Sequence, residues 1–296
     1  MWYYSVVRFV IGLLFLSIAS IKDLKSRRVP NELWIVMGSI AMVILFVELW
    51  MKDIRWEHFL IFVPIGILFS ETFVERPPIY SEGRLNFLVL GWLMLPAVVF
   101  IYMLNVLSGS WLFWSLAMIP AIMLFAFGMY FFYIIQGGAD AKAIITLAVL
   151  LPFYPEIPRL THNAVPSSQI PLMQAFFPFT LVILLNSSLV VIVLPLSYFF
   201  VNLSKGDIDL PKMFFGYKKR VYEIEDSFVW PMQYYEDGKL KTELFPRTGT
   251  DEKLKSLRKH DRELVWTTPK LPFIVPMLIG FVLSFLIGNP LMYLMA

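Results

Sequence analysis

Cysteine is absent from this 296-residue chain, and histidine and charge are scarce. Without cysteine the protein can form no disulfide, no cysteine-ligated zinc or iron–sulfur site and no thiol nucleophile. Charged residues make up 16% of the chain, whereas a typical soluble domain has roughly 25%. The formal net charge of +3 is too small to indicate nucleic acid as a partner.

The three histidines, His58, His162 and His260, lie in separate segments and form no H-E-x-x-H motif. We therefore predict no metal site and no cofactor. A serine hydrolase of the Ser–His type would need a histidine inside a membrane span, and none of the three is placed in that way. Gly109-Ser110 is accordingly interpreted as a turn.

Apolar residues are what the chain has in excess, with 58% hydrophobic residues and a mean hydropathy of +0.69. They form runs of about 18 residues or more without charge, the length at which a helix crosses a bilayer with its backbone satisfied. We predict an all-α polytopic membrane protein with about eight transmembrane helices. The predicted spans are 2–21, 33–50, 59–74, 85–106, 111–135, 140–154, 173–203 and 271–295.

One predicted span is unusual, and one segment between spans is polar. Span 173–203 contains Pro178 and Pro195 and is either one kinked helix or two half-helices. Segment 204–270 holds 14 basic and 12 acidic residues, a mixture typical of a solvated surface.

We predict three parts: a membrane bundle over 1–203, a cytoplasmic polar segment over 204–270 and a final transmembrane helix over 271–296. Within the polar segment, Asp251–Glu263 is typical of a short exposed helix and Arg220–Trp230 of a strand.

Positive charge indicates the orientation. With the N-terminus outside, the cytoplasmic segments hold 21 of the 25 Lys and Arg residues. Without the long polar segment, which follows this rule weakly, the count is 7 inside against 4 outside. The run 2–21 has only Arg8 near its start and a basic cluster after it, so we interpret it as a retained span rather than a signal peptide. We expect a multi-pass plasma-membrane protein with its N-terminus outside.

Two carboxylates are candidates for chemistry. Asp23 follows the first span and Asp140 precedes the apolar part of the sixth, so four spans separate them and both lie at the cytoplasmic face. Two facing carboxylates can share one proton; the ionised one then takes a proton from water while the protonated one polarises a peptide carbonyl. Gly137 and Gly138 would let a substrate backbone approach closely. The alternative is two surface ion pairs and an ordinary glycine turn.

Glu48 and Glu71 are the rival carboxylates within predicted spans. They lie toward opposite ends of their spans and lack flanking glycines. We therefore interpret both as interfacial groups.

The segments around the two aspartates resemble the archaeal prepilin and preflagellin (archaellin) peptidases, relatives of the bacterial type IV prepilin peptidases among the Gly-x-Gly-Asp intramembrane aspartic proteases. In that family an Arg-aliphatic-Pro-Asn tail follows the first Asp, and Arg28-Val29-Pro30-Asn31 matches it. The second Asp ends a Gly-x-Gly-Asp motif and often has Lys two positions later. Gly137-Gly138-Ala139-Asp140 with Lys142 matches, except that Ala139 replaces the second glycine. The closing segments 216–232 and 266–280 are also similar, whereas the third and fourth spans resemble an inserted pair.

The resemblance implies an aspartic endopeptidase with Asp23 and Asp140 as its catalytic pair and with Gly137, Gly138 and Lys142 at the substrate. Its partners would be pilin or archaellin precursors with class III signal peptides. Such a precursor has a short basic leader followed by an apolar helix in membrane lipid, and it is cut at the cytoplasmic border. Bacterial relatives often add a cysteine-ligated zinc and a methyl-transfer activity; without cysteine we expect peptidase activity alone. The presenilin-like branch carries Tyr-Asp and Pro-Ala-Leu motifs, which this chain lacks.

Two other functions stay open at this level. An ion-coupled transporter or channel would use Asp140 and the broken seventh span to line an ion path. A non-catalytic scaffold would dock partners through 204–270. Arg27 and Arg28 either shape the field at the aspartates or anchor the inner face. The sequence leaves the oligomeric state undetermined.

Overall fold

The computed structural model describes residues 2–81, 84–135, 137–161, 170–225, 227–246, 249–270 and 272–295. His162 and Leu271, which belong to segments considered above, lie outside the described residues. By internal contacts the chain forms two compact units, Met1–Ser188 with Phe273–Ala296 as the first and Leu189–Pro272 as the second.

Helices dominate the described residues. In chain order they are α1 (Trp2–Ser26), α2 (Asn31–Met51), α3 (Phe62–Glu71), α4 (Phe87–Leu107), α5 (Trp111–Phe131), α6 (Gly138–Leu150), α7 (Ile170–Phe176), α8 (Phe179–Ser204), α9 (Lys212–Phe215), α10 (Thr250–Lys259), α11 (Ile274–Ile287) and α12 (Pro290–Met295). Five of them, α1, α2, α4, α5 and α8, are long and apolar enough to cross a membrane. The predicted class, a mostly helical polytopic membrane protein, is confirmed.

The predicted number of eight full-length spans is not confirmed. The third predicted span begins as a 3-10 helix over Trp56–Ile61 and continues as the ten-residue α3. The sixth is the 13-residue α6, which is about 20 Å long and therefore shorter than a hydrocarbon core of about 30 Å.

Two other predicted spans are each broken into two helices. Segment 173–203 divides at Phe177 and Pro178 into α7 and α8, because a residue that precedes proline is driven out of the helical region. Pro195 lies within α8 without ending it. Segment 271–295 divides at Gly288, whose φ of +68° closes α11 before α12 begins at Pro290.

The core of the first unit is centred on α6. Every residue from Ala143 to Leu150 is buried, and α6 packs against α1, α2, α5 and α11. Large side chains such as Trp34, Phe113 and Phe281 complete this core. In contrast, α4 exposes most of its apolar side chains, as a lipid-facing helix does.

The described strands are short. They are β1 (Tyr80–Ser81), β2 (Arg84–Leu85), β3 (Tyr217–Arg220), β4 (Val229–Pro231), β5 (Gln233–Glu236), β6 (Lys239–Thr242) and β7 (Leu264–Pro269). In the second unit β7 is the central strand of an antiparallel sheet ordered β3-β7-β4, and β5 pairs with β6. The register places Tyr217 opposite Thr267 and Trp230 opposite Thr268.

The predicted strand Arg220–Trp230 is largely wrong. Its middle begins with a 3-10 turn over Val221–Glu223, and strands lie only at its two ends. Val221 and Ile224 are both buried against α10, and a spacing of three residues brings two side chains to one side in a helical turn but not in a strand. The predicted helix Asp251–Glu263 corresponds to α10, which ends at Lys259.

Candidate functional site

Asp23 lies in the last turn of α1, on its buried face, with 9% of its surface exposed. Arg27 adopts a left-handed conformation, with φ of 55°, and its amide donates to the carbonyl of Asp23 at 3.0 Å. The positive charge of Arg27 also acts on the Asp23 carboxylate. The residue that ends the helix is therefore also the nearest counter-charge to the aspartate.

The Arg28–Asn31 tail is the tight connection from α1 into α2. Ser26 Oγ donates to the carbonyls of Lys22 at 2.9 Å and Arg28 at 3.1 Å, which satisfies the frayed end of α1. Pro30 is the N-cap of α2 in an extended conformation, with φ of −66° and ψ of 146°. Because proline fixes φ near this value and needs no amide partner, the chain turns within four residues and α2 starts at Asn31.

Asp140 lies in the first turn of α6, for which Gly137 is the N-cap. The Asp140 carboxylate folds back against that glycine, since a Cβ on Gly137 would lie 2.3 Å from Asp140 Oδ2. A negative charge at a helix N-terminus is also favoured by the helix dipole. Gly137 is thus required by the aspartate itself, a role that the sequence did not suggest.

Gly138 and Ala139 have different surroundings. A Cβ on Gly138 would meet only the Tyr130 ring, at 3.8 Å, which is an ordinary contact. Ala139 is half-buried and packs against the core of the first unit. The departure from the Gly-x-Gly-Asp pattern therefore places a methyl group where apolar neighbours accept it.

Lys142 connects the two sequence motifs. Its ammonium donates to the Asn31 amide oxygen at 2.7 Å and lies 5.6 Å from the centre of the Phe73 ring. In the sequence, Asn31 was recognised only as the last residue of a motif, and its hydrogen bond with Lys142 was not predicted. A polar residue at the start of one span and a lysine one turn into another were the available signals.

Asp23 and Asp140 are brought to the same end of the first unit. Helix α1 packs against α6, and the charge of Asp23 acts directly on the Asp140 carboxylate. Two neighbouring carboxyl groups are an arrangement in which one can hold a proton while the other is charged.

The rival carboxylates are both paired. Glu48 is buried and contacts Arg8 at 2.7 Å and Lys52 at 2.9 Å. Glu71 contacts Arg76 at 2.6 Å and accepts from the Trp92 indole at 3.2 Å. The interpretation of Glu48 as an interfacial group missed its burial, because the partner Arg8 lies on another helix.

His58 and Ser110 approach each other, which the sequence did not indicate. His58 Nε2 lies 3.3 Å from Ser110 Oγ, and Nδ1 lies 3.1 Å from the carbonyl of Arg55. Ser110 is also the N-cap of α5, where its oxygen accepts from the amide of Phe113. The serine therefore caps a helix. Among the described residues there is no group of three or more His, Asp or Glu side chains that could hold a metal.

These features define a class: a polytopic helical membrane protein with two carboxylates at adjoining helix ends. Residues 209–289 match the family described as Archaeal Peptidase A24 C-terminus Type II. Over 97% of its length the chain is 26% identical to a preflagellin peptidase of Methanococcus voltae, of which 97% is covered. Preflagellin peptidases of Methanocaldococcus jannaschii and Methanococcus maripaludis are 24% and 23% identical, each over 96% of the chain and over 94% and 96% of their own lengths.

The predicted resemblance to the archaeal preflagellin peptidases is therefore confirmed, and these similarities support a peptidase. The similarity extends over nearly the full length of both proteins. The expectation that the third and fourth spans are an inserted pair stays a prediction.

Proposed function

We propose that this protein is a membrane aspartic endopeptidase that removes the short basic leader from archaellin precursors, with pilin precursors as the related substrate class. The observation that carries the proposal is the placement of the two aspartates, Asp23 in the last turn of α1 and Asp140 in the first turn of α6, on helices that pack together. The names of the relatives, all preflagellin peptidases, support archaellin precursors as the substrate.

The proposed mechanism uses the two carboxylates as an acid–base pair. The ionised aspartate takes a proton from a water molecule, whose oxygen attacks the scissile carbonyl carbon, while the protonated aspartate donates to the carbonyl oxygen. The tetrahedral intermediate then collapses, the C–N bond breaks and the departing nitrogen receives a proton from the pair. Because both side chains are carboxyl groups, either residue can start as the acid.

The length of α1 supports cleavage at a membrane border. Asp23 follows Trp2 by 21 residues in one continuous helix, a rise of about 32 Å that matches the hydrocarbon core. Basic residues cluster at the Asp23 end: Lys22, Lys25, Arg27 and Arg28. We therefore propose that this end is cytoplasmic and that the N-terminus lies outside.

The remaining site residues receive distinct proposed roles. Gly137 gives the Asp140 carboxylate its space, and Gly138, with an open face toward Tyr130, is the position where a substrate backbone can approach. Lys142 is a positioning residue, since its ammonium is held by Asn31.

The proposal is tested by cleavage of an archaellin precursor by the purified protein in detergent. Asp23→Asn and Asp140→Asn keep the side-chain shape but remove the titratable proton, and each should lower the rate by at least about 100-fold. Asp53→Asn is the matched control, because Asp53 lies in the turn after α2 with φ of 47°, a conformation that asparagine accepts.

Each outcome has a definite meaning. Loss of cleavage in both folded variants, with the control active, supports the aspartate pair. Continued cleavage by both variants overturns it. A wild-type protein that cuts neither archaellin nor pilin precursors overturns the substrate assignment and directs the next experiment to ion flux in liposomes.

A further inference from the structure

The first unit contains a polar cavity far from the two aspartates. Its volume is about 220 Å³, and its lining includes Ser5 and Arg8 of α1, Glu48 of α2, Lys52 just beyond it and Phe153 in the segment after α6. Arg8 precedes Asp23 by 15 residues in α1, which corresponds to about 22 Å along the helix. The peptidase proposed above makes no use of this cavity.

Arg8 is the central residue of the cavity. Only 4% of its surface is exposed, and Nη1 contacts Glu48 Oε2 at 2.7 Å. Its Nε and Nη2 atoms are buried and have no hydrogen-bond partner among the described residues. Buried guanidinium donors are almost always satisfied, so these two atoms indicate an acceptor that the described residues do not supply.

The two open donors lie side by side on the guanidinium. Nε–H and Nη2–H form one edge of the planar fork, which matches two oxygens of a phosphate or carboxylate group. The Glu48 carboxylate lies against Nη1, on the other edge of the guanidinium, and its Oε2 atom also has no hydrogen-bond partner among the described residues. The geometry therefore selects a ligand with two adjacent oxygen acceptors.

The cationic donors in the cavity suit an anion. Two cations, Arg8 and Lys52, surround the single buried carboxylate of Glu48, and both lie over the Phe153 ring, at 5.9 Å and 4.5 Å. Glu156 at the rim is exposed, and Ser5 Oγ accepts from its amide. Arg8 and Glu48 are buried whereas Lys52 and Glu156 are exposed, so the charges of the lining balance and the cavity offers an anion the donors of Arg8 and Lys52.

The depth of the cavity indicates the source of the anion. Trp2 at the N-terminal end of α1 and Trp50 at the C-terminal end of α2 are both exposed, and the cavity is lined by residues near these two ends. Exposed tryptophans are typical of the headgroup level of a membrane. Phosphate groups of lipids lie at this level. We infer that the cavity binds a phosphate group through Arg8 Nε and Nη2, with Lys52 as a second contact.

The test uses the full chain, stripped of lipid in a phosphate-free maltoside detergent. Native mass spectrometry and thermal unfolding are followed with phosphatidylglycerol in mixed micelles, with inorganic phosphate and with phosphate-free diacylglycerol. Arg8→Met alone would leave Glu48 buried without a partner and could fail to fold. The principal variant is therefore the double substitution Arg8→Met with Glu48→Leu, which removes both charges.

Lys52→Gln is a second variant and preserves the Arg8–Glu48 pair. Arg55→Gln is the matched control, since Arg55 lies at the same end, pairs with Glu57 at 2.6 Å and does not line the cavity. The double variant is expected to bind phosphatidylglycerol at least tenfold more weakly than wild type, Lys52→Gln several-fold more weakly, and Arg55→Gln equally well.

Stabilisation by phosphatidylglycerol alone identifies a lipid headgroup. Stabilisation by inorganic phosphate as well identifies a site open to soluble phosphate. The inference is overturned if neither phosphatidylglycerol nor inorganic phosphate stabilises the wild type, or if the folded double variant binds these two as the wild type does. Arg8, Glu48 and Lys52 then form a structural ion network only. Because the readout is binding, failure here leaves the peptidase proposal unaffected.

Discussion

The amide oxygen of Asn31 accepts a 2.7 Å hydrogen bond from the ammonium group of Lys142, across 111 positions of sequence. Asn31 begins α2 directly after the turn that follows Asp23, and Lys142 lies two residues beyond Asp140. Asn31 is therefore close to Asp23 in the sequence, and Lys142 is close to Asp140. The separation of two carboxylates on different helices depends on how those helix ends are held together, and this contact holds them.

Asn31→Ala should reduce kcat for precursor cleavage by about tenfold or more, because a displacement of about 1 Å at catalytic groups can cost 100-fold. The effect on stability should be below about 1 kcal/mol, since the bond is exposed to solvent. The measurements are the cleavage rate and the thermal unfolding midpoint of the same preparation.

A double-mutant cycle isolates the contact. If the bond acts as inferred, Asn31→Ala combined with Lys142→Met should be little worse than either single substitution. Asn105→Ala is a suitable control, because Asn105 bonds only to the carbonyl of Ile101 within its own helix. Strictly multiplicative losses of rate would show that Asn31 and Lys142 act separately.

Gly137→Ala should abolish cleavage while Gly138→Ala retains it. The new methyl at 137 would lie 2.3 Å from Asp140 Oδ2 and must displace the carboxylate, whereas at 138 it would meet the Tyr130 ring at 3.8 Å. We expect a loss of at least about 100-fold for the first and, as an order of magnitude, less than about threefold for the second.

Neither glycine has a positive φ, so alanine strains the backbone at neither position. The comparison therefore isolates the space around the carboxylate. The reverse result, an active Gly137→Ala and an inactive Gly138→Ala, would assign the motif to close approach of the substrate rather than to placement of Asp140. Circular dichroism of both variants checks that the helices are retained.

The sequence predicted the two aspartates as the site because their motif neighbours are local. Asp23 and Asp140 each stand beside a glycine, proline or basic residue within five positions, and such patterns survive without knowledge of packing. What the sequence did not contain was the long-range pairing of Lys142 with Asn31 or of Glu48 with Arg8. Both pairs join different helices, and hydropathy does not specify which helices become neighbours.

Span lengths were overestimated for a related reason. A run of apolar residues predicts burial in hydrocarbon or in protein equally well. Helix α6 is apolar because it is enclosed by other helices, and its 13 residues are buried along almost the whole length. Segment 173–203 is neither one kinked helix nor two half-helices. It divides at Pro178, because proline restricts Phe177, and α8 beyond this point is long enough to cross a membrane alone.

Gly280→Ala should destabilise the bundle. A Cβ there would lie 2.2 Å from Ser187 Oγ and 2.5 Å from its backbone nitrogen, so α8 and α11 would have to separate. Overpacking of this kind costs typically about 1–3 kcal/mol. Gly91→Ala is the control, because nothing lies within 4 Å of its Cβ position in α4, and there alanine should be neutral or stabilising by up to about 1 kcal/mol. Equal unfolding midpoints for the two variants would contradict the close approach at Gly280.

Substitution of Asn202 tests the stability of the second unit. Its side chain is fully buried, and Nδ2 donates to the carbonyls of Met213 at 2.9 Å and Gly216 at 2.7 Å. Asn202→Leu leaves both carbonyls unsatisfied and should cost about 1–3 kcal/mol. Asn202→Asp keeps the size but directs a carboxylate oxygen at two carbonyl oxygens, so it should be the more damaging substitution.

Hydrogen exchange over 205–220 provides the local readout for Asn202, because it reports opening of the α9–β3 connection rather than of the whole chain. Ser197→Ala serves as the control, since Ser197 is exposed and its hydroxyl bonds only to Val193 in the same helix. We expect faster exchange in the order Ser197→Ala, Asn202→Leu, Asn202→Asp. If the aspartate variant exchanges no faster than wild type, the two carbonyls have other donors and Asn202 does not anchor this connection.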